Sequence, residues 1–206
     1  MTTPPIDQLM CTAPVIPVLV IEDVAHAVPI AEALVAGGLR VLEVTLRTPC
    51  ALEVIRAMKQ VPGAIVGAGT VLNPRELDQA LAAGSEFIVS PGLTKELGQA
   101  AVASGVPFLP GTANASDIMA GLDLGLTHFK FFPAEASGGI AALKAISAPF
   151  GMARFCPTGG ITQASAPDWL ALNAVLCVGG SWLVPKGPPD PRTIEVAARQ
   201  AAALAR

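Results

Sequence analysis

Eight short apolar runs, rich in β-branched residues, alternate along the whole chain with stretches rich in alanine and leucine. The apolar runs are Val15–Ile21, Val41–Leu46, Ala64–Gly67, Phe87–Ser90, Val106–Leu109, His128–Phe132, Arg154–Cys156 and Val175–Val178. The helix-like stretches between them include Val24–Ala36, Ala51–Gln60, Pro74–Ala83, Lys95–Ser104, Ser116–Leu124 and Ile140–Ser147. Near-continuous apolar strands that alternate with helices are typical of a parallel sheet built from βαβ units.

Eight such units in 206 residues predict an α/β fold, a single compact (β/α)8 TIM barrel, better than an open sheet. A five-stranded flavodoxin-like sheet would leave three runs without a place. No linker or charge run divides the chain, so we expect residues 1–206 to form one barrel domain. We expect a short extra helix within residues 1–13 and a proline-rich surface loop over Lys186–Pro191. Helix starts are indicated by Asn73-Pro74, Asn114 and Ser165.

The composition excludes several classes of protein. Apolar residues make up 52% of the chain and charged residues 14%, which rules out intrinsic disorder. The net charge of −3 argues against nucleic acid as a partner. Charged residues interrupt every long apolar stretch, so we expect no membrane span and a cytoplasmic protein. Four dispersed cysteines and two histidines predict neither a disulfide scaffold nor a bound metal.

Lys130 is a lysine inside an otherwise apolar strand, His128-Phe-Lys-Phe-Phe132. Strand alternation puts it on one face with His128 and Phe132. An edge lysine that reaches solvent is one interpretation. The other is a desolvated amine with a lowered pKa, able to attack a carbonyl near neutral pH.

Glu43 presents the same problem in Val41-Leu-Glu-Val-Thr-Leu-Arg47. It shares one face of the strand with Thr45 and Arg47. A structural Glu–Arg ion pair is the plain interpretation. The functional one is a general acid/base carboxylate, with Arg47 binding a substrate carboxylate.

Glycine pairs follow the last two predicted strands: Gly159-Gly160, and Gly179-Gly180 before Ser181. Exposed backbone N–H groups at such positions favour a phosphate, and barrels commonly bind phosphate after strands seven and eight. An amine, an acid/base and an anion site suit Schiff-base carbon–carbon chemistry on a phosphorylated keto acid.

The strand-end motifs resemble those of the class I 2-keto-3-deoxy-6-phosphogluconate (KDPG) aldolases. The resemblance extends from about Pro14 to Pro185. The motifs that carry it are Glu43-Val-Thr-Leu-Arg-Thr-Pro49, Gly67-Ala-Gly-Thr-Val-Leu-Asn73, Ser90-Pro-Gly-Leu-Thr94, His128-Phe-Lys-Phe-Phe-Pro-Ala-Glu135, Arg154-Phe-Cys-Pro-Thr-Gly-Gly-Ile161 and Cys177-Val-Gly-Gly-Ser-Trp182. That family consists of cofactor-free, metal-independent barrels, usually homotrimers, that act in the Entner–Doudoroff pathway.

The resemblance implies a role for each matching residue. Lys130 would form the Schiff base and Glu43 would be the acid/base. The pyruvate and sugar parts would contact Arg47, Thr70, Pro91, Phe132 and Thr158, and the phosphate would contact Gly159, Gly160, Gly180 and Ser181. The expected reaction cleaves KDPG to pyruvate and glyceraldehyde 3-phosphate.

Three further activities stay open at this stage. Members of this family also cleave 4-hydroxy-2-oxoglutarate (KHG), which lacks the phosphate. A galactose-series phosphate aldolase differs at one stereocentre. A sugar-phosphate isomerase or epimerase, or a non-catalytic sugar-phosphate-binding barrel, would use the same glycines but would need no imine.

Overall fold

The chain forms a closed barrel of parallel strands with helices outside it, in a computed structural model that describes residues 5–185 and 187–205. The strands are β1 (Val15–Leu19), β2 (Val41–Thr45), β3 (Ile65–Gly69), β4 (Ile88–Val89), β5 (Phe108–Leu109), β6 (Gly111–Thr112), β7 (His128–Phe131), β8 (Arg154–Pro157) and β9 (Val178–Gly180). The helices are α1 (Ile6–Thr12), α2 (Ala27–Ala36), α3 (Ala51–Met58), α4 (Pro74–Ala82), α5 (Lys95–Ser104), α6 (Ala115–Asp123), α7 (Gly139–Ser147), α8 (Ala166–Leu170) and α9 (Pro191–Ala202). A 3-10 helix, Val24–His26, precedes α2.

Two ladders of parallel strands join to close the barrel. One has the order β5-β4-β3-β2-β1-β9 and the other the order β6-β7-β8. Pro110 separates β5 from β6, so these two strands together occupy the fifth position of an eight-position barrel. The Pro110 carbonyl still accepts a bond from the Lys130 N–H, and a bridge between Thr158 and Gly179 joins β8 to β9. The predicted (β/α)8 architecture is confirmed.

The predicted strand boundaries needed two corrections. The fifth predicted run, Val106–Leu109, is too short. Pro110 interrupts the ladder after Leu109 because it has no N–H to donate, but the chain continues in the same direction as β6. The eighth strand is Val178–Gly180, whereas the run Val175–Val178 was predicted, and Val175 makes only an isolated bridge to Phe155.

Local capping explains where several helices begin. The Asn73 side chain accepts a bond from the Glu76 N–H at 3.0 Å, and Asn114 does the same for Asp117 at 3.1 Å, as their sequence signatures predicted. Ser165 precedes α8, but its hydroxyl accepts from the Thr162 N–H instead of capping the helix.

Helix α9 was not predicted, although Asp190-Pro191 repeats the pattern of a cap residue followed by proline. The predicted loop Lys186–Pro191 therefore ends one residue earlier, at Asp190, and Lys186 lies outside the described residues. Helix α9 packs beside α2 and closes the ring of helices.

The core has two parts, one outside the barrel wall and one inside it. Outward-facing strand residues such as Phe129 and Phe131 pack under the helices. Inside, α1 covers the amino end of the barrel, where Leu9 and Met10 are buried against an apolar group that includes Ile16, Val41 and Phe87. The predicted N-terminal helix is thus the plug of the amino end. No helix among the described residues is both long and apolar enough to cross a membrane.

Candidate active site

Lys130 and Glu43 meet in the barrel interior. Lys130 lies in β7 and Glu43 in β2, on opposite sides of the barrel, and Lys130 Nζ donates to Glu43 Oε1 at 3.0 Å. Their side chains are only 5% and 4% exposed. The edge-lysine interpretation is therefore wrong, and the partner of Glu43 in this buried pair is Lys130 rather than Arg47.

Burial of both charges makes their pairing necessary. An isolated ammonium or carboxylate would lose its hydration in this interior at a cost of several kcal/mol. Each charge compensates the other at 3.0 Å, and the Phe132 ring centroid lies 5.2 Å from Lys130 Nζ, within the range of a cation–π contact. The arrangement holds an amine next to a proton acceptor in a site that excludes bulk water.

Glycine at inward-facing strand positions makes room for these side chains. A β-carbon on Gly69 would overlap the Glu43 carboxylate, and one on Gly179 would overlap the Thr158 hydroxyl. The interior of an eight-stranded barrel is only wide enough for side chains to fill it. The role of Gly69 was not predicted, and Gly179 was predicted only as part of a phosphate-binding glycine pair, although glycine inside a strand signals close approach.

The residues predicted to contact the pyruvate part lie at the carboxyl ends of the strands. Phe132 directly follows β7, and its peptide bond to Pro133 is cis. Pro91 follows β4 and its backbone lies against Gly111, which pairs with Lys130 in the ladder. Phe132 is thus close to the amine, and Pro91 lies next to the strand that pairs with β7.

Thr70 and Arg47 occupy the same end of the barrel. Thr70 follows β3 with φ +61°, a left-handed conformation that is rare for a β-branched residue and concentrates at functional sites. Arg47 follows β2 and lines a cavity with Glu22, Asp23 and Pro185. Thr45, which shares the strand face of Glu43, instead donates its hydroxyl to the Leu19 carbonyl at 2.9 Å.

The first glycine turn, Gly159-Gly160, lies beside Gly179 and Gly180, because β8 and β9 are neighbours. Gly179 and Gly180 were predicted to follow the eighth strand, but they are the last two residues of β9. Gly159 and Gly160 have φ values of +102° and +80°, which only glycine adopts easily. Gly159 also lies near the Phe132 ring, so the first turn adjoins the lysine pocket. Gly180 is buried at the end of β9 and Ser181 is exposed directly after it. Thr158 is buried at the start of the first glycine turn and pairs with Gly179 of β9.

One polar contact behind the first glycine turn was not predicted. Glu135, which follows β7, accepts a bond from Trp169 Nε1 at 3.0 Å. The two residues are far apart in sequence and Trp169 lies in the five-residue helix α8, so no motif indicated the contact.

Comparison with known proteins agrees with this geometry. The family model for KDPG and KHG aldolase matches residues 6–196. The crystal structure of the KDPG aldolase of Zymomonas mobilis ZM4 with 3-phosphoglycerate superposes with a TM-score of 0.97, at 65% identity, over 98% of this chain and 96% of that chain. The KHG/KDPG aldolase of Escherichia coli is 58% identical over 180 residues, 87% of this chain and 84% of the relative.

A further structure is informative about chemistry. It is that of the KDPG aldolase from Legionella pneumophila with pyruvate captured as a covalent carbinolamine. It is 44% identical to this chain, covers 96% of this chain and 98% of its own, and has a TM-score of 0.93.

Proposed function

The chain belongs to the KDPG and KHG aldolase family, and from that premise we propose that it cleaves KDPG to pyruvate and glyceraldehyde 3-phosphate through a Schiff base on Lys130. The observation that carries the assignment of the residues is the buried Lys130–Glu43 pair, with Nζ and Oε1 3.0 Å apart. It supplies the nucleophile and a proton acceptor already in contact.

The reaction begins with proton transfer within this pair. Glu43 accepts a proton from the Lys130 ammonium, and the neutral amine adds to the C2 carbonyl of the substrate. Glu43 then returns the proton to the carbinolamine hydroxyl, water leaves, and a protonated imine remains. The short Nζ–Oε1 distance allows both transfers without movement of the strands.

Carbon–carbon cleavage uses the same carboxylate. Glu43 takes the proton of the C4 hydroxyl, the C3–C4 bond breaks, and its electron pair passes into the imine to give an enamine. Glyceraldehyde 3-phosphate leaves. Glu43 then protonates C3 of the enamine, and hydrolysis of the imine releases pyruvate and restores the lysine. The protein groups supply every proton movement, so no cofactor takes part in this scheme.

The other predicted residues bind the substrate. We propose that Arg47 and Thr70 hold the pyruvate carboxylate and that Pro91 and Phe132 form the walls of the pocket. Thr158 would contact the sugar hydroxyls. The backbone amides of Gly159, Gly160 and Gly180, together with Ser181, would bind the phosphate. The Thr158–Gly179 bridge places the first glycine turn beside the end of β9, which supports one shared phosphate site.

A second substrate is KHG, which shares the pyruvate part of KDPG and lacks the phosphate. The E. coli relative that is 58% identical carries both names. We propose that this chain also cleaves KHG, at lower efficiency because the phosphate contacts are unused.

We further propose a cytoplasmic enzyme of one aldolase domain, residues 1–206, that assembles as a homotrimer with a mass three times 20.9 kDa. Light scattering on the purified protein tests the trimer.

The decisive experiment is trapping with pyruvate and sodium borohydride, followed by mass spectrometry and peptide mapping. We expect a stable adduct on Lys130 in the wild type and none in Lys130→Ala. An adduct on another lysine would refute the assignment of Lys130. If folded protein gave no adduct at all, the isomerase and sugar-phosphate-binding alternatives would remain. Coupled pyruvate assays on KDPG, its galactose epimer and KHG then establish the substrate preference.

A further inference from the structure

The first glycine turn is held in place from outside by the segment that follows β7. The Ala134 N–H donates to the Thr158 carbonyl at 2.8 Å, and the Glu135 N–H donates to the Gly159 carbonyl at 3.1 Å. The carbons of the Glu135 side chain also pack on Gly160, where an added β-carbon would lie 2.7 Å from Glu135 Cβ. The turn itself, with two glycines in succession, has little intrinsic rigidity.

The Glu135 side chain also reaches helix α8. Its Oε1 accepts the indole N–H of Trp169, which is 0% exposed in α8. The Trp169 ring packs on Phe131, the neighbour of Lys130 in β7, at 6.3 Å between centroids. Glu135 therefore contacts the Thr158–Gly160 turn on one side and is joined by one hydrogen bond to the buried Trp169.

This arrangement has a physical consequence for anion binding. Backbone N–H groups bind a phosphate well only if they are already aimed at it, because ordering a mobile loop on binding weakens affinity. Glu135 is exposed at the surface, so the fold does not require its carboxylate to fill a core space. Its side-chain contacts include Gly160 of the turn and Trp169 of α8, and its carbonyl accepts a bond from the Gly138 N–H at 3.2 Å.

We propose that Glu135 is a positioning residue that, through its hydrogen bond to Trp169, keeps the Thr158–Gly160 turn in the conformation that binds the substrate phosphate. This inference rests on the proposed function, in which that turn contacts the phosphate. It predicts that Glu135 affects binding of the phosphorylated part of the substrate and leaves the chemistry of the lysine unchanged.

Three variants separate the components of this contact. Glu135→Ala removes the acceptor, Glu135→Gln keeps an acceptor oxygen without the charge, and Trp169→Phe removes the donor while retaining an aromatic ring. For each we would measure KM and kcat for KDPG, the Kd of 3-phosphoglycerate by calorimetry, and the exchange of pyruvate methyl protons for deuterium by NMR. The last measurement reports on Lys130 and Glu43 without any phosphate.

We expect Glu135→Ala to raise KM for KDPG and Kd for 3-phosphoglycerate by about tenfold, the size of effect of losing one charge-assisted hydrogen bond. Methyl exchange should stay within about twofold of the wild type, because no group at the lysine changes. Glu135→Gln should bind nearly normally, and Trp169→Phe should weaken binding in the same direction. The double variant Glu135→Ala/Trp169→Phe should be no worse than the worse single variant.

The controls distinguish failure of this inference from failure of the phosphate site. If the wild type binds 3-phosphoglycerate no better than glycerate, the phosphate site is wrong and this inference falls with it. If the wild type prefers the phosphorylated ligand and Glu135→Ala keeps that preference, only the role of Glu135 is refuted. Equal losses of methyl exchange and phosphate binding, accompanied by a lower Tm, would indicate a general structural role and would also refute it.

Discussion

The two ends of the barrel interior differ in chemistry although the same strands form both. At the amino end, Leu9 and Met10 of α1 are buried among apolar side chains such as Val41. Two residues further along β2, Glu43 forms a buried ion pair with Lys130. Inward-facing positions two residues apart are about 6.6 Å apart along a strand. The barrel thus separates packing from catalysis within one step of the strand alternation.

Each end also has a polar side-chain pair that involves β7, and the two pairs differ in burial. Lys130 and Glu43 are 5% and 4% exposed, whereas His128 and Asp7, which join at 3.1 Å, are 15% and 60% exposed. Water screens an exposed pair, so it contributes little, while a buried pair constrains both charges strongly. The polar contact of His128 joins β7 to the N-terminal helix, whereas that of Lys130 lies at the site for which we propose the chemistry.

The largest expected effect comes from neutralising the acid of the buried pair. Glu43→Gln should still form a borohydride-trappable imine with pyruvate, but more slowly, because Glu43 also moves the protons of imine formation. Its turnover of KDPG and its exchange of pyruvate methyl protons should fall by about 10²- to 10⁴-fold, because the general acid/base is lost. The matched control is Asp7→Asn, the same type of change at the amino end, which should leave both rates unchanged. An unchanged exchange rate in Glu43→Gln would refute the role of this residue.

The next effect concerns the plug at the amino end. Leu9→Ala should lower the free energy of unfolding by about 2–5 kcal/mol, because it leaves a cavity in the interior apolar group. We expect kcat per folded molecule to remain that of the wild type, since Leu9 lies at the opposite end from Lys130. Denaturant unfolding and activity measured at low temperature test both parts. A fall in kcat without a fall in stability would contradict the separation of the two ends.

Two glycines of β3 allow a sharper comparison within one strand. Gly69→Ala would place a β-carbon against the Glu43 carboxylate, and displacement of that group by about 1 Å should cost up to about 10²-fold in turnover. Gly67→Ala would place one 2.5 Å from the Phe87 ring, which should cost about 1–3 kcal/mol of stability through overpacking.

Kinetics and unfolding of both β3 variants would therefore give opposite patterns. Gly69→Ala should lose activity more than stability, and Gly67→Ala should lose stability more than activity. If both variants lost only stability, the room that Gly69 provides for Glu43 would have no catalytic importance.

The sequence singled out Lys130 and Glu43 because a charge in an apolar strand is costly unless it is used, and the structure brings the two together. The strand rhythm predicted the barrel, and the short N-terminal helix expected within residues 1–13 is also present. The spaces made by Gly69 and Gly179 were not predictable, since they depend on which side chain stands opposite across the strands. The Glu135–Trp169 bond was hidden for the same reason: it joins residues that only the closed fold brings together. The break at Pro110 could have been predicted, because proline has no backbone N–H to donate to the ladder.

Not every charge at the carboxyl end takes part in catalysis, and Asp190 provides the contrast. It caps α9, where its carboxylate accepts from the Thr193 hydroxyl and from the Arg192 N–H at 3.1 Å. The Thr193 hydroxyl, and then the Arg192 amide, lower the pKa of Asp190 below its usual value. A lowered pKa in the folded state means that the unfolded chain binds the proton more tightly. The stabilisation is therefore complete above the unfolded pKa, near 3.8, and is lost as the pH falls through the lower, folded value.

The smallest expected effect follows from the lowered pKa of Asp190. Asp190→Asn keeps a side chain that caps helices well and removes the titrating charge. At neutral pH the wild type should therefore have a slightly higher Tm than Asp190→Asn. This difference in Tm should shrink as the pH falls below about 3.8. Asp190→Ala should lose stability at all pH values because the cap itself is gone. Turnover of KDPG should be the same in all three proteins; a large fall in turnover would mean that Asp190 belongs with Lys130 and Glu43 rather than with the helix caps.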